Sequence, residues 1–121
     1  MSTALAFAAA VALQGAPVVV DGDTFDVGAK RYRVENVDAP ELSATCPAAR
    51  ALARLATAEL ARLLRSGVVT VEVVCVQPAT TRYRERLRAK VYVDAVDVVG
   101  PMIAAGVARP GGQRPAWCSN G

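Results

Sequence analysis

From Arg86 to Asp94, apolar and polar residues alternate one for one. Leu87, Ala89, Val91 and Val93 form one set, and Arg86, Arg88, Lys90 and Tyr92 the other. A period of two predicts a strand with one buried face. Val68–Val76 predicts another, with Val69, Val71, Val73 and Cys75 inward and Thr70, Glu72 and Val74 outward. Between residues 48 and 65 the period changes. Leu52, Leu55, Ala56, Leu60, Leu63 and Leu64 recur at three and four, which predicts a helix with that set as its buried face. Pro47 suits its first turn and Ser66-Gly67 its end. Arg50, Arg54 and Arg62 fall on its other faces and read as a solvated surface.

Shorter strand pieces precede the helix. Val18–Val20 stops at Asp21-Gly22, a strong turn signal, and Thr24–Val27 follows. Gly28-Ala29 allows a tight reversal into Arg31–Val37, which stops at Asp38 because Ala39 precedes a proline. After the last long strand, Asp97 can cap a short helix over Val99–Ala105, with Pro101 tolerated in its first turn and Gly106 ending it. The expected fold is mainly β (α+β). Five short strands, one long helix between the third and fourth, and a short C-terminal helix suggest a small Greek-key barrel.

The chain has 121 residues, enough for one domain. It is 53% hydrophobic and 5% aromatic, so Val, Ala and Leu must fill the core. The formal charge is +3, and Lys30 and Lys90 are the only lysines among 14 basic residues. Arginine forks pair bidentately with phosphate. Genome composition alone also yields such a bias, so the charge permits a nucleic acid partner without demanding one. With Arg82 and Arg84, the strand from Arg86 is the most basic stretch, either a track for a phosphate backbone or edge protection.

Ala4–Leu13 is an apolar run of ten, too short for a bilayer, which needs about 20 residues. It looks like the apolar part of a signal peptide, without the usual preceding Lys or Arg. The alternative is a buried N-terminal strand or helix. Residues 1–16 are read as that leader or an apolar segment, 17–109 as the domain, and 110–121 as a coil tail. Export, to the periplasm or outside the cell, is the expectation, with the cytoplasm as alternative.

Three cysteines bear on this. None of their spacings is C-x-x-C, so a zinc site is not expected. Cys75 falls on the apolar strand face and is read as a core thiol. Cys46, beside the helix start, and Cys118, in the tail, are candidates for a disulfide. Closing about 70 residues would contribute roughly 4 kcal/mol by the chain-entropy model. Three free thiols in a cytosolic protein are the alternative.

The candidate chemistry lies in two acidic corners, Asp21-Gly22-Asp23-Thr24 and Asp38-Ala39-Pro40-Glu41, around the basic strand Lys30-Arg31-Tyr32-Arg33. If the flanking strands are neighbours, Asp23 and Asp38 end close together. Such carboxylates repel, and a divalent cation removes the penalty. Oxygen ligands favour Ca²⁺ or Mg²⁺ over zinc or copper. The chain contains no histidine, which excludes a His-based metal site, a His general base and a Ser-His-Asp triad.

These residues resemble the staphylococcal-nuclease-like, or thermonuclease, family. The matching features are the DGDT turn at Asp21–Thr24, Arg33, the corner Val37-Asp38-Ala39-Pro40-Glu41, and a looser match at Arg82-Tyr83-Arg84-Glu85-Arg86-Leu87-Arg88-Ala89. Order and spacing agree over roughly Pro17 to Arg109. The resemblance implies a five-stranded OB-fold barrel. It also implies calcium-dependent hydrolysis of DNA and RNA that leaves 3′-phosphates. Asp23, Asp38 and the backbone carbonyl of Ala39 would be the metal ligands, supported by Asp21 and Thr24. Glu41 would orient or deprotonate the attacking water, and Arg33 and Arg86 would clamp the phosphate. Tyr83, Arg82 and Arg84 would contact substrate. The expected partners are single-stranded DNA and RNA, with no membrane, and the chain is expected to be a monomer.

Some positions depart from the family pattern. Its Y-G-R is here Tyr83-Arg84-Glu85-Arg86, one residue longer, with Glu85 for glycine and Thr81 for an acidic residue. Counting back from Val91-Tyr92 gives Arg86 as the second arginine, and counting forward from Tyr83 gives Arg84; Arg86 is preferred. The family's later C-terminal helix and a second tyrosine near the base pocket have no counterpart. A catalytically silent OB module that binds nucleic acid or a protein is the competing expectation.

Overall fold

In the computed structural model, which describes residues 10–112 and 117–118, the alternating strand runs as Glu85–Val93. Leu87, Ala89, Val91 and Val93 are buried, as the period of two requires, while Arg86 and Arg88 are exposed. Nine strands and two helices are present among the described residues. In chain order the strands are β1 (Val11–Ala12), β2 (Val18–Asp21), β3 (Thr24–Val27), β4 (Lys30–Val34), β5 (Val37–Asp38), β6 (Val69–Gln77), β7 (Glu85–Val93), β8 (Val96–Asp97) and β9 (Arg109–Pro110). Helix α1 (Pro47–Arg65) lies between β5 and β6, and α2 (Val99–Ala104) between β8 and β9. The fold is thus mainly β, with α+β character.

The main sheet has the order β1-β6-β7-β4-β3-β2, with β8 added to β7, while β5 and β9 form a separate pair. All pairs are antiparallel except β4 with β7, so the sheet is mixed. A parallel pair needs a long crossover, which α1 supplies. Five strands have four residues or more, and α1 follows the third of these. Of the four two-residue strands, β8 and β9 were not anticipated, while β1 falls in the apolar run with a strand or helix as its alternative reading and β5 holds the end of a longer predicted strand. The long predicted strand Arg31–Val37 is broken at Asn36, whose φ of 66° turns the chain. β5 therefore leaves the main sheet and pairs with β9. Sheet pairing also begins earlier than residue 17: Val11 faces Val71, and the Leu13 amide donates to the Val69 carbonyl at 3.0 Å. The apolar run's residues 4–9 lie outside the described residues.

Two inward-facing assignments need correction. Cys75 is exposed, not core. Val73 pairs with Ala89, but Cys75 pairs with Arg88, so β6 carries one extra residue at Val74. That bulge moves Cys75 to the outer face of the sheet, beside the arginines. On α1 the buried residues are Ala49, Ala53, Ala56, Leu60, Leu63 and Leu64, whereas Leu55 is 61% exposed. The alanine stripe lets the helix approach the β2–β3 turn closely. A Cβ on Gly22 would stand 2.6 Å from the Ala56 Cβ and 2.8 Å from that of Ala39. Bulky leucines could not occupy that contact.

The core lies between α1 and the inner sheet face. Phe25 and Tyr32 stack with ring centroids 5.2 Å apart, and Leu60, Val91, Val98 and Met102 are almost wholly buried. Asp97 Oδ1 accepts from the Val99 amide at 2.9 Å at the start of α2. Cys46 and Cys118 form the disulfide, with Cα atoms 5.7 Å apart. No described helix is long and apolar enough to cross a membrane.

Candidate functional site

The two acidic corners meet where Gly22 touches Ala39. The β2–β3 turn is built by its own side chains. Asp21 Oδ1 accepts from the Asp23 amide at 3.1 Å, and the Thr24 hydroxyl donates to Asp23 Oδ1 at 3.0 Å. Asp23 Oδ2 accepts from the Ala39 amide at 3.4 Å, which ties the first corner to the second. Asp23 is 7% exposed and is the one buried charged residue among those described.

Arg33 joins both corners. It lies on β4 opposite Thr24, and its Nη1 is 3.1 Å from Asp23 Oδ2. The same nitrogen donates to the carbonyl oxygens of Val34 and Val37, at 3.2 Å each. The residue after Val37 is Asp38, so one guanidinium is bonded to both corners.

Burial above all, and then the neighbouring Asp21 carboxyl, push Asp23 from an ordinary 3.8 up to about 7. Arg33 and the Thr24 hydroxyl pull the other way without overcoming the loss of water. A buried carboxylate of this kind is suited to exchange its proton for a cation. Asp23 Oδ2 is held by nitrogen donors, Arg33 Nη1 and the Ala39 amide, but the ligand set implied by the resemblance presents only oxygen, which fits a hard divalent ion. Among the described residues no three His, Cys, Asp or Glu side chains group as a metal cluster. The set implied by the resemblance is two carboxylates and the Ala39 carbonyl, which such a cluster does not describe.

These groups open on a cleft of about 850 Å³. Asp21, Asp23, Thr24, Asp38, Ala39, Glu41, Arg33 and Arg86 all line it. Glu41 follows Pro40 into an exposed turn. Its only side-chain partner among the described residues is the Ser43 hydroxyl, which donates to Oε2 at 3.4 Å. Parallel pairing sets Arg31 beside Arg86 and Arg33 beside Arg88. Four like charges on one face need partners. Arg31 pairs with Asp26 at 2.8 Å, Arg33 with Asp23, and Arg88 with Glu35 at 3.7 Å. Arg86 has no carboxylate partner among the described residues; its guanidinium lies 4.8 Å from the Tyr83 ring centroid.

The two candidates for the second arginine lie in different places, Arg86 at the cleft and Arg84 outside it. Arg84 precedes β7 and turns away, 3.1 Å from Asp26 and 3.4 Å from the Gly28 carbonyl. Arg82, Tyr83 and Arg84 do not line the cleft, nor does Glu85, which sits opposite Lys30.

Among the other residues lining the cleft, Cys75 was expected in the core, Cys118 only as a disulfide partner, and Trp117 was not singled out. Cys75 arrives through the β6 bulge. Trp117 and Cys118 arrive with the tail, and Trp117 Nε1 donates to Asp38 Oδ2 at 3.3 Å. A lone tryptophan beside the tail cysteine is the signal that could have found it. No protein-family model matches the chain, and no curated protein matches it either.

Proposed function

We propose that the chain is a calcium-dependent, sugar-nonspecific nuclease of the staphylococcal-nuclease-like kind. It would hydrolyse phosphodiester bonds of single-stranded DNA and RNA and leave 3′-phosphates. One observation carries the reading. Four carboxylates share a cleft with four arginines, and of these arginines Arg86 lacks a carboxylate partner among the described residues. A cleft arranged in this way can take an anion at Arg86 and a cation at the acidic corners together.

The barrel belongs to the same reading. β1 and β2 end opposite sides of the strand order, yet only residues 13–17 separate them in the chain. A single first strand bent between β6 and β3 would close a five-stranded OB-fold barrel.

Asp23, Asp38 and the Ala39 carbonyl would hold Ca²⁺, which when bound polarises a phosphoryl oxygen. Arg86 and Arg33 bind the non-bridging oxygens and gain strength as negative charge grows in the transition state. Arg33 does so while its Nη1 stays anchored on Asp23 and Val37, which limits its reorganisation. Glu41, exposed at the cleft with the Ser43 hydroxyl on Oε2, orients a water and accepts its proton. Breaking the P–O5′ bond leaves the phosphate on the 3′ side, and the departing O5′ takes a proton from solvent water to become the 5′-hydroxyl.

The silent-module alternative is favoured only by the altered loop around Glu85, which stands where the family pattern has glycine. Glu85 does not line the cleft, so its charge does not face the proposed phosphate site. The test is digestion of single-stranded DNA and RNA with Ca²⁺, with Mg²⁺ and with chelator, beside Glu41→Gln. Calcium-dependent cleavage lost in the variant is expected. A folded protein that binds oligonucleotide but cleaves under no condition would establish the silent module instead.

A further inference from the structure

The tail brings the chain's single tryptophan onto one of the two corner carboxylates. Three restraints hold it there. The indole N–H donates to Asp38 Oδ2 at 3.3 Å. The ring lies 3.6 Å from the Arg109 guanidinium, and Arg109 is directly opposite Asp38 in the β5–β9 pair. The next residue, Cys118, is bonded to Cys46 at the start of α1. A loose tail residue needs none of these. A donor whose task is to fix a ligating carboxylate needs all of them, because an indole on a free tail would pay its ordering entropy at each encounter.

We propose that Trp117 is a positioning residue for Asp38. It engages one carboxylate oxygen, Oδ2, of a residue that lines the cleft, and the Cys46–Cys118 disulfide keeps it in place. The role rests on the nuclease reading, since it gives Asp38 a cation to hold. The contact itself does not.

Two measurements separate these points. The single indole N–H gives one resonance in a nitrogen-15 NMR spectrum. In calcium-free protein, Asp38→Ala and, separately, the double variant Cys46→Ser/Cys118→Ser should each speed its solvent exchange at least about tenfold. Unchanged exchange in both would overturn the contact and its tether. Calorimetric titration with Ca²⁺ then compares wild type with Trp117→Phe, which keeps a ring over Arg109 but lacks the N–H. Loss of a hydrogen bond to a metal ligand typically costs 10–100-fold in affinity, so about tenfold weaker binding is expected, with the disulfide and melting temperature retained. Equal affinity in both proteins would overturn the positioning role alone. No cation binding by wild type, with the exchange result intact, would bring down the nuclease reading and the positioning role with it.

Discussion

Arg33 Nη1 lies 3.1 Å from Asp23 Oδ2 and 3.2 Å from the Val37 carbonyl, so a single guanidinium spans the two acidic corners. Arg33→Ala should lower the turnover number on single-stranded DNA by about 10²–10³, the usual cost of one transition-state donor. It should also push Asp23 further up, because the nearest cation is gone. Circular dichroism shows whether the fold persists. Near-wild-type turnover in a folded variant would remove Arg33 from the mechanism.

Asp23 makes stability depend on pH with a sign opposite to that of most carboxylates. Its folded value is raised from 3.8 to about 7, so between these values the folded state binds the proton more tightly than the unfolded chain. Its contribution is fully present below 3.8, falls as pH rises towards about 7, and is flat above. In chelator, the melting temperature of wild type should therefore decline between pH 4.5 and 7 relative to Asp23→Asn. Parallel profiles for the two proteins would contradict the burial argument.

Asp26 behaves in the ordinary sense. Its hydrogen-bonded pair with Arg31 holds it below its usual value, so its contribution is lost only as pH falls beneath 3.8. Asp26→Asn should leave the profile above pH 5 unchanged in shape, as thermal melts would show.

Gly22 is required by space, not by backbone torsion. A methyl group there would meet Ala56 and Ala39 at 2.6 and 2.8 Å. Gly22→Ala should destabilise by about 1–3 kcal/mol in urea unfolding, the usual cost of overpacking. It should also reduce activity, because the same contact joins Asp23 to Ala39. A neutral effect on both would mean that helix and turn can separate freely.

Arg84 and Arg86 offer a paired comparison. Arg86→Ala should cost about 10²-fold or more in turnover. Arg84→Ala should cost less than about tenfold and little stability, because Arg84 itself is exposed and Asp26 keeps its pair with Arg31. Steady-state kinetics on one oligonucleotide decides it, and the reverse order would shift the phosphate clamp to Arg84.

Local order along the chain determined much of this protein. The alternation of Leu87 to Val93, the helix from Pro47 to Arg65 and the turn at Asp21-Gly22 follow from period and propensity, which act between near neighbours. The acidic corners and Arg33 were legible for the same reason, since each lies in one short stretch. Partners distant in the chain were decided only by the tertiary structure. Pairing with β7 creates the β6 bulge that turns Cys75 outward, a matter of register that no single strand encodes. Close approach to Gly22 selects the alanine stripe of α1 over Leu55. Asp26 draws Arg84 aside and leaves Arg86 at the cleft. Trp117 reaches Asp38 across 79 positions because strand pairing and a disulfide carry the tail back, and those long-range closures have no period to read.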